Sequence, residues 1–283
     1  MGVYSRLVKS NKPVPKKRFG QHFLRDTGVL ERIIRWIQPE PGDLFLEIGA
    51  GDGALSALLA PKARHLLAIE VDMDCIPLLE KALAPHGSAT IAAGDILKLD
   101  LPGLVTPHLQ QDLRLRIAGN LPYNIATAII EKLLHSGLPI QDMFFMVQLE
   151  VAQRIGAKPD SRQYGYLSVH CQHHSDIQMG FTVSPACFVP RPKVSSAMIC
   201  FRPKPDSQDP ALESGFEALV KAAFSHRRKT LENSLRRHPE FGEIAGELLS
   251  SAGIDGSRRA EQLAVQEYEH LALIFQNHFQ ANP

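Results

Sequence analysis

Leu44 to Gly53 reads LFLEIGAGDG, and this stretch decides the fold. An apolar run carrying one acid, Glu47, breaks directly into Gly49, Gly51 and Gly53. A buried strand running into closely spaced glycines is how an open α/β sheet prepares a ligand crevice. Without a Cβ the backbone turns sharply and a ligand can approach it. Ala54 to Ala60 is helix-forming, so the turn ends at a helix N-terminus with free N–H groups.

The pattern repeats outward from that turn. Upstream, Asp26 can cap a helix whose apolar positions Val29, Leu30, Ile33, Ile34 and Ile37 share one face, and Pro39 and Pro41 stop it. Downstream, strands are expected at 65–70 (HLLAIE), 89–93, 113–118 (LRLRIA) and 143–149, with helices at 74–83 and 126–135. A helix over 164–174 and strands over 177–183 and 197–201 follow. Helices alternating with apolar strands imply an α/β fold with a parallel, doubly wound sheet. After Phe201 the stretch RPKPDSQDP reads as a linker, and four helix patterns follow: 216–224, 230–236, 244–250 and 260–279. The expected organisation is a basic arm over 1–20, a large α/β domain over 21–203 and a small all-α domain over 204–283.

Composition narrows the class. The 283 residues are 44% hydrophobic and 22% charged, as in an ordinary globular protein. No apolar run approaches the roughly 18 residues of a membrane span. Cys75, Cys171, Cys187 and Cys200 form no CxxC pair, which points to a reducing, cytoplasmic compartment without a disulfide framework. Net charge is only +1, but residues 1–25 hold Arg6, Lys9, Lys12, Lys16, Lys17, Arg18 and Arg25 and no acid before Asp26. Such a segment suits an arm lying on a polyanion. Pro13 and Pro15 break the amphipathic helix that a presequence needs.

In a doubly wound sheet the ligand lies beyond the carboxyl ends of the strands. Here those ends carry the glycine turn, Glu70, Asp95 and Asn120. Glu70, about 20 residues after the turn, can accept both hydroxyls of a ribose. Asp95 can accept from the exocyclic amine of an adenine. The pair describes an adenosine-containing cofactor, and the turn alone fits NAD as well as S-adenosylmethionine. The fourth strand end discriminates. Asn120-Leu121-Pro122-Tyr123 joins an amide, a proline-stiffened turn and an aromatic ring. The Asn120 oxygen and a backbone carbonyl of Leu121 or Pro122 can accept from an exocyclic amine, and Tyr123 can stack on a base. Hydride transfer needs no such set, whereas methylation of a nucleobase amine does.

With KKRFGQHFL (16–24), EIGAGDG, IEVD (69–72), GDIL (94–97), NLPY, FVPRPKV (188–194) and AFSHRRKTLENSL (223–235), the sequence resembles the ribosomal RNA adenine dimethyltransferases. The resemblance spans roughly residues 16–270 and is nearest to the bacterial small-subunit branch. It implies a Rossmann-like class I methyltransferase sheet with helices on both faces and a helical rRNA-binding domain. It also implies dimethylation of two adjacent adenosines in the 3′-terminal hairpin of 16S rRNA by S-adenosylmethionine.

On the matching positions, His22 and Leu24 line the cofactor pocket. Gly49, with Gly51 beside it, meets the methionine part, Glu70 the ribose and Asp95 the adenine. Asn120 spans cofactor and target base, with Leu121, Pro122 and Tyr123 completing the catalytic turn. Phe188 is expected to sandwich the base against Tyr123. His22 stands where some members have Asn, so its contact is expected through the backbone. Ser195 and Asp52 also depart from the common pattern. The RNA contacts expected are Lys16, Lys17 and Arg18 of the arm, Arg191 and Lys193 of PRPKV, and Arg227, Arg228 and Lys229. The implied partner is the small ribosomal subunit, bound by a monomer.

Rival functions are a large-subunit rRNA or DNA adenine methylase, an NAD-dependent oxidoreductase, and an assembly factor whose binding matters more than its chemistry. His170, His173 and His174 fall on one helical face, and His170 with His174 at i,i+4 is compatible with a metal pair, but the sequence offers no further ligand, so no metal is expected. Trp36, the single tryptophan, is read as core or domain edge.

Overall fold

The computed structural model describes residues 15–16, 19–109, 113–205, 209–226 and 228–277. Nine strands and eleven α-helices are found among them. They are β1 (Phe23–Leu24), α1 (Thr27–Ile37), β2 (Asp43–Ile48), α2 (Ser56–Leu59), β3 (His65–Glu70), α3 (Ile76–Leu83), β4 (Ala89–Ala93) and α4 (Leu101–Val105). Then come β5 (Arg114–Asn120), α5 (Ala126–Leu134), β6 (Ile140–Gln148), α6 (Leu149–Ile155), α7 (Tyr166–His174), β7 (Ser175–Val183), β8 (Phe188–Val189) and β9 (Ser196–Pro203). The helices α8 (Pro210–Phe224), α9 (Leu231–Leu235), α10 (Ala245–Ser251) and α11 (Val265–Phe275) close the chain.

Seven strands form one sheet in the order β4-β3-β2-β5-β6-β9-β7. The pairs β2–β3, β2–β5, β3–β4 and β5–β6 are parallel. All six residues of β2 are buried, as a strand covered on both faces must be. The order reverses at β2: the chain runs outward through β3 to β4 and returns to β5 on the other side of β2, and helices cover both faces. A crevice opens at that reversal, beyond the carboxyl ends of β2 and β5.

Arg116, in the middle of LRLRIA, is buried rather than exposed. Its guanidinium takes Asp142 of β6 through Nε at 2.8 Å and Nη2 at 2.9 Å, and Asp43 of β2 through Nη1 at 2.9 Å. It also donates to the carbonyl of Ile37 at the end of α1. One side chain thus joins three neighbouring strands at the edge away from the crevice. The Asp26 cap on α1 forms as expected, its carboxylate accepting from Val29 N–H at 2.9 Å.

The chain divides into two compact units, 1–148 with 181–198, and 149–180 with 199–283. This differs from the expected boundary at 203/204. The physical reason lies in the second unit's core, where Ala157, Tyr164 and Val169 pack with Phe216, Leu219, Phe241, Leu248 and Tyr268. The helices α6 and α7 therefore belong with the C-terminal helices. Asp209 caps α8 and Thr230 caps α9, both through side-chain oxygens. No helix among the described residues is long and apolar enough to cross a membrane.

Candidate active site

The glycine turn adopts the conformation its composition allows. Gly49, Gly51 and Gly53 have φ of 68°, 59° and 87°, a region costly for residues with a Cβ. Gly51 has a second constraint: a Cβ there would stand 3.2 Å from the Phe23 ring. The turn therefore admits the chain segment around β1, which lies over it.

A cavity opens where the strand ends meet, entirely within the first unit. Its walls include the N-terminal segment Phe19–Leu24, the turn Gly49–Asp52, Glu70 with Val71, and Gly119–Tyr123, with Leu30 and Ile33 of α1 and Phe144 and Met146 of β6 behind them. Of the expected cofactor residues, His22, Leu24, Gly49, Gly51, Glu70 and Asn120 all line it, as do the expected catalytic residues Leu121, Pro122 and Tyr123.

Glu70 is 4% exposed. Its Oε2 accepts from Gly51 N–H at 2.7 Å and its Oε1 from Asp72 N–H at 2.8 Å. Burial raises its carboxyl above the ordinary range, although these backbone donors oppose the rise. Val71 N–H is a third backbone donor to it, which leaves the carboxylate acceptor capacity for a further donor.

Asn120 ends β5. Its Nδ2 donates to the His22 carbonyl at 2.9 Å. A carbonyl can only accept, so the amide is oriented and its Oδ1 is left as the acceptor. His22 thus acts on Asn120 through its backbone, while its ring Nδ1 lies 2.7 Å from the Pro190 carbonyl. In the turn that follows, the Pro122 carbonyl already accepts from Ile125 N–H at 3.1 Å. Tyr123 places its hydroxyl 2.6 Å from Ser196 Oγ, and its ring stacks on His22 with centroids 5.4 Å apart. Burial raises the Tyr123 phenol above its ordinary range.

Two expected residues lie apart from this cavity wall. Asp95 follows β4, one strand beyond Glu70, and its Oδ1 accepts from Leu97 N–H at 3.0 Å. Phe188 is 2% exposed and sits opposite Leu24 in the two-stranded β1–β8 ladder. The ring facing Tyr123 is that of His22, not Phe188.

Lys16, expected on RNA, is engaged elsewhere. Its Nζ lies 2.5 Å from Asp72 Oδ1 and 2.6 Å from Asp74 Oδ2. Those hydrogen bonds raise the Lys16 ammonium. Asp72 is 1% exposed; burial alone would raise its carboxyl, but the bonds from Lys16 and Gln21 outweigh it and hold the group below the usual range. Lys17, Arg18 and Arg227 fall outside the described residues. Arg191 and Lys193 are exposed in the first unit, as are Arg228 and Lys229 in the second. Lys229 shares a groove with Arg154, Arg162 and His226.

Sequence reasoning gave no role to Glu47, although the acid stands in the opening motif. It is 2% exposed, lines the cavity, and its Oε2 has no hydrogen-bond partner among the described residues. Burial raises its carboxyl to about 8, with the charge of Glu70 adding to the rise. Phe23, Gln21, Asp72 and Ser196 were also missed. Asp52, unusual in the turn, pairs with Arg25 at 2.5 Å.

In the second unit, His173 lies 2.8 Å from Glu269 and 3.3 Å from Glu213. His174 lies 3.3 Å from Glu213. The sequence showed no third candidate ligand beside the histidines; the fold supplies Glu213. Burial would lower His173, but the two carboxylates outweigh it and raise the imidazole to about 9.

A doubly wound sheet with a glycine turn at its crevice and a buried carboxylate at the next strand end is a nucleotide-binding α/β architecture. The comparisons resolve which one. A family model described as ribosomal RNA adenine dimethylase matches residues 14–277, and the chain belongs to that family. A Bacillus cereus (strain AH187) protein, ribosomal RNA small subunit methyltransferase A, is 38% identical over 263 residues, covering 91% of this chain and 90% of that one. The Bacillus anthracis (strain A0248) protein of the same name matches equally. Among solved structures, a dimethyladenosine transferase from Plasmodium falciparum superposes with a TM-score of 0.77 at 22% identity, covering 90% of this chain and 98% of that one. The 23S rRNA methyltransferase ErmE gives 0.67 at 24% identity, covering 90% and 100%. These two share the fold.

Proposed function

We propose that this chain dimethylates the N6 amines of two adjacent adenosines in the 3′-terminal hairpin of 16S rRNA. It uses S-adenosylmethionine and acts as a cytoplasmic monomer on the small ribosomal subunit. The observation carrying the reading is the oriented Asn120 amide in the wall of the glycine-turn cavity. The names of the 38% identical relatives support the substrate.

The cavity fits such a cofactor. Gly49 leaves room for it, Gly51 admits the Phe23 ring over the turn, Glu70 keeps acceptor capacity for ribose hydroxyls, and the unpartnered Glu47 oxygen suits the ammonium of the methionine part. Asp95 is assigned to the adenine amine from the neighbouring strand end. When bound, S-adenosylmethionine supplies an electrophilic methyl group on a sulfonium.

The protein's own part is alignment. An adenine amine is a poor nucleophile because its lone pair is delocalised into the ring. Asn120 Oδ1 and the Leu121 carbonyl accept its two N–H groups and favour a pyramidal nitrogen. Leu121 takes this role because the Pro122 carbonyl is used within the turn. Tyr123 offers the target base the ring face that His22 does not cover. Orientation and fixed dipoles then provide most of the acceleration, and no strong base is needed. The target base leaves its stack to reach the site. Arg191, Lys193, Arg228 and Lys229 hold phosphates, with Lys17, Arg18 and Arg227 assigned to the same footprint.

Titration with S-adenosylhomocysteine and NADH, followed by incorporation of radiolabelled methyl groups into unmethylated small subunits, tests the proposal. Binding of the first ligand and label in 16S rRNA are expected. Binding of NADH alone would end it.

A further inference from the structure

We propose that Lys16 and Asp72 are positioning residues whose ion pair, braced by Gln21, pins the segment Phe19–Leu24 across the cavity and sets how fast spent cofactor leaves between the two methyl transfers. The inference rests on the cofactor reading above.

The segment Phe19–Leu24 forms one wall of the cavity, opposite the glycine turn. It is stapled at both ends. At the first, Lys16 Nζ bridges Asp72 and Asp74, at 2.5 and 2.6 Å. The Gln21 side chain ties the same corner: its Oε1 accepts from Lys16 N–H at 2.7 Å and its Nε2 donates to Asp72 Oδ2 at 2.8 Å. At the other end Arg25 pairs with Asp52 of the turn at 2.5 Å. Between them the Phe23 ring lies on Gly51, and the His22 carbonyl holds Asn120.

The first staple is coupled to the ligand site by the backbone. Asp72 N–H donates to Glu70 Oε1, so the residue that anchors the segment also orders the carboxylate assigned to the ribose. Asp72 is 1% exposed, and Lys16 is the one cation paired with it among the described residues. Releasing Lys16 leaves a buried carboxylate with only amide donors, which favours the closed arrangement. Lys16 itself is partly exposed and packs in no core, so it is suited to let go.

Retention matters because two methyl groups on one nitrogen require two donor molecules. S-Adenosylhomocysteine left by the first transfer has to pass this wall before the second donor enters.

The test uses the full chain loaded with radiolabelled S-adenosylhomocysteine and chased with excess unlabelled compound. Lys16→Met is expected to raise the off-rate about fivefold, the range over which loss of one charged contact acts on dissociation. Lys16→Arg, which keeps both carboxylate contacts, is expected to restore slow release, and Asp72→Asn to repeat the fast release. Thermal unfolding of Lys16→Met is expected a few degrees below the wild type, because the buried Asp72 loses its cation, and that of Asp72→Asn nearer to it, so fast release shared by both is not a stability effect. An unchanged off-rate in Lys16→Met overturns the proposal. So does weaker small-subunit binding with an unchanged off-rate, which would return Lys16 to the RNA footprint. Absence of binding by both wild type and variant would overturn the cofactor reading, and this proposal with it.

Discussion

Asn120→Ala separates the stability role of Asn120 from its chemical one. The substitution removes the 2.9 Å hydrogen bond from Nδ2 to the His22 carbonyl. A half-buried neutral bond of this kind contributes about 1 kcal/mol. In a chain of this size that lowers the unfolding midpoint by about 2 °C. Glu70, Gly49 and Gly51 keep their geometry, so S-adenosylhomocysteine affinity falls by no more than about fivefold, or about 1 kcal/mol. The same change removes the Oδ1 acceptor assigned to the target amine. Loss of one aligned electrostatic partner costs about a hundredfold or more in rate, about 3 kcal/mol. Titration calorimetry and radiolabelled methyl incorporation into small subunits read the two effects separately. Incorporation within about threefold of wild type, at saturating cofactor, would refute the catalytic assignment.

Three further outcomes are expected. Arg116→Ala leaves Asp142 buried without its guanidinium, while Asp43 keeps Arg114 at 2.7 Å, and costs about 3 kcal/mol, read by denaturant unfolding; a loss below about 1 kcal/mol would show that the triad contributes little. For His173, whose imidazole is raised to about 9, the folded value lies above the unfolded one, so its stabilisation is complete below about pH 6.5 and fades as pH rises through 9. His173→Gln is therefore expected to cost at most about 3 kcal/mol at pH 6 and much less at pH 10, and a pH-independent cost would contradict the ion-pair assignment. Its partners Glu213 and Glu269, both held below their ordinary range by His173, add a second loss as pH falls through their lowered values. Neutralising Arg227, Arg228 and Lys229 together should reduce the slope of log affinity against log salt for small subunits by about 2 to 3, and an unchanged slope would exclude them from the footprint.

Strands buried on both faces write themselves as continuous apolar runs, which is why β2 and β3 stand where LFLEI and HLLAIE place them. Two-residue β1 and β8 have no period to detect, and α6 is a single short run that follows β6 in sequence without a break. The domain boundary was legible as a change in composition but displaced, because the partners of Tyr164 and Val169 are residues of α8 to α11, far along the chain. At the site, strand-end position picks out Gly49, Gly51, Glu70, Asn120 and Tyr123, which line one cavity. The ion pairs of Lys16 were hidden for the opposite reason. In a run of cations it looks like every other phosphate contact, and its carboxylate partners lie 56 and 58 residues away. Glu47 was hidden by its motif: nothing in LFLEIGAGDG distinguishes an acid satisfied by the backbone from one left without a partner.

The central claim is that NLPY turns an adenosine-cofactor pocket toward a second adenine. Its most direct test is mass spectrometry of RNA digested from unmethylated small subunits after incubation with this protein and S-adenosylmethionine. Two adjacent N6,N6-dimethyladenosines near the 3′ end of 16S rRNA are the result expected. Monomethylated adenosine as the end product, or methyl groups in 23S rRNA instead, would contradict it.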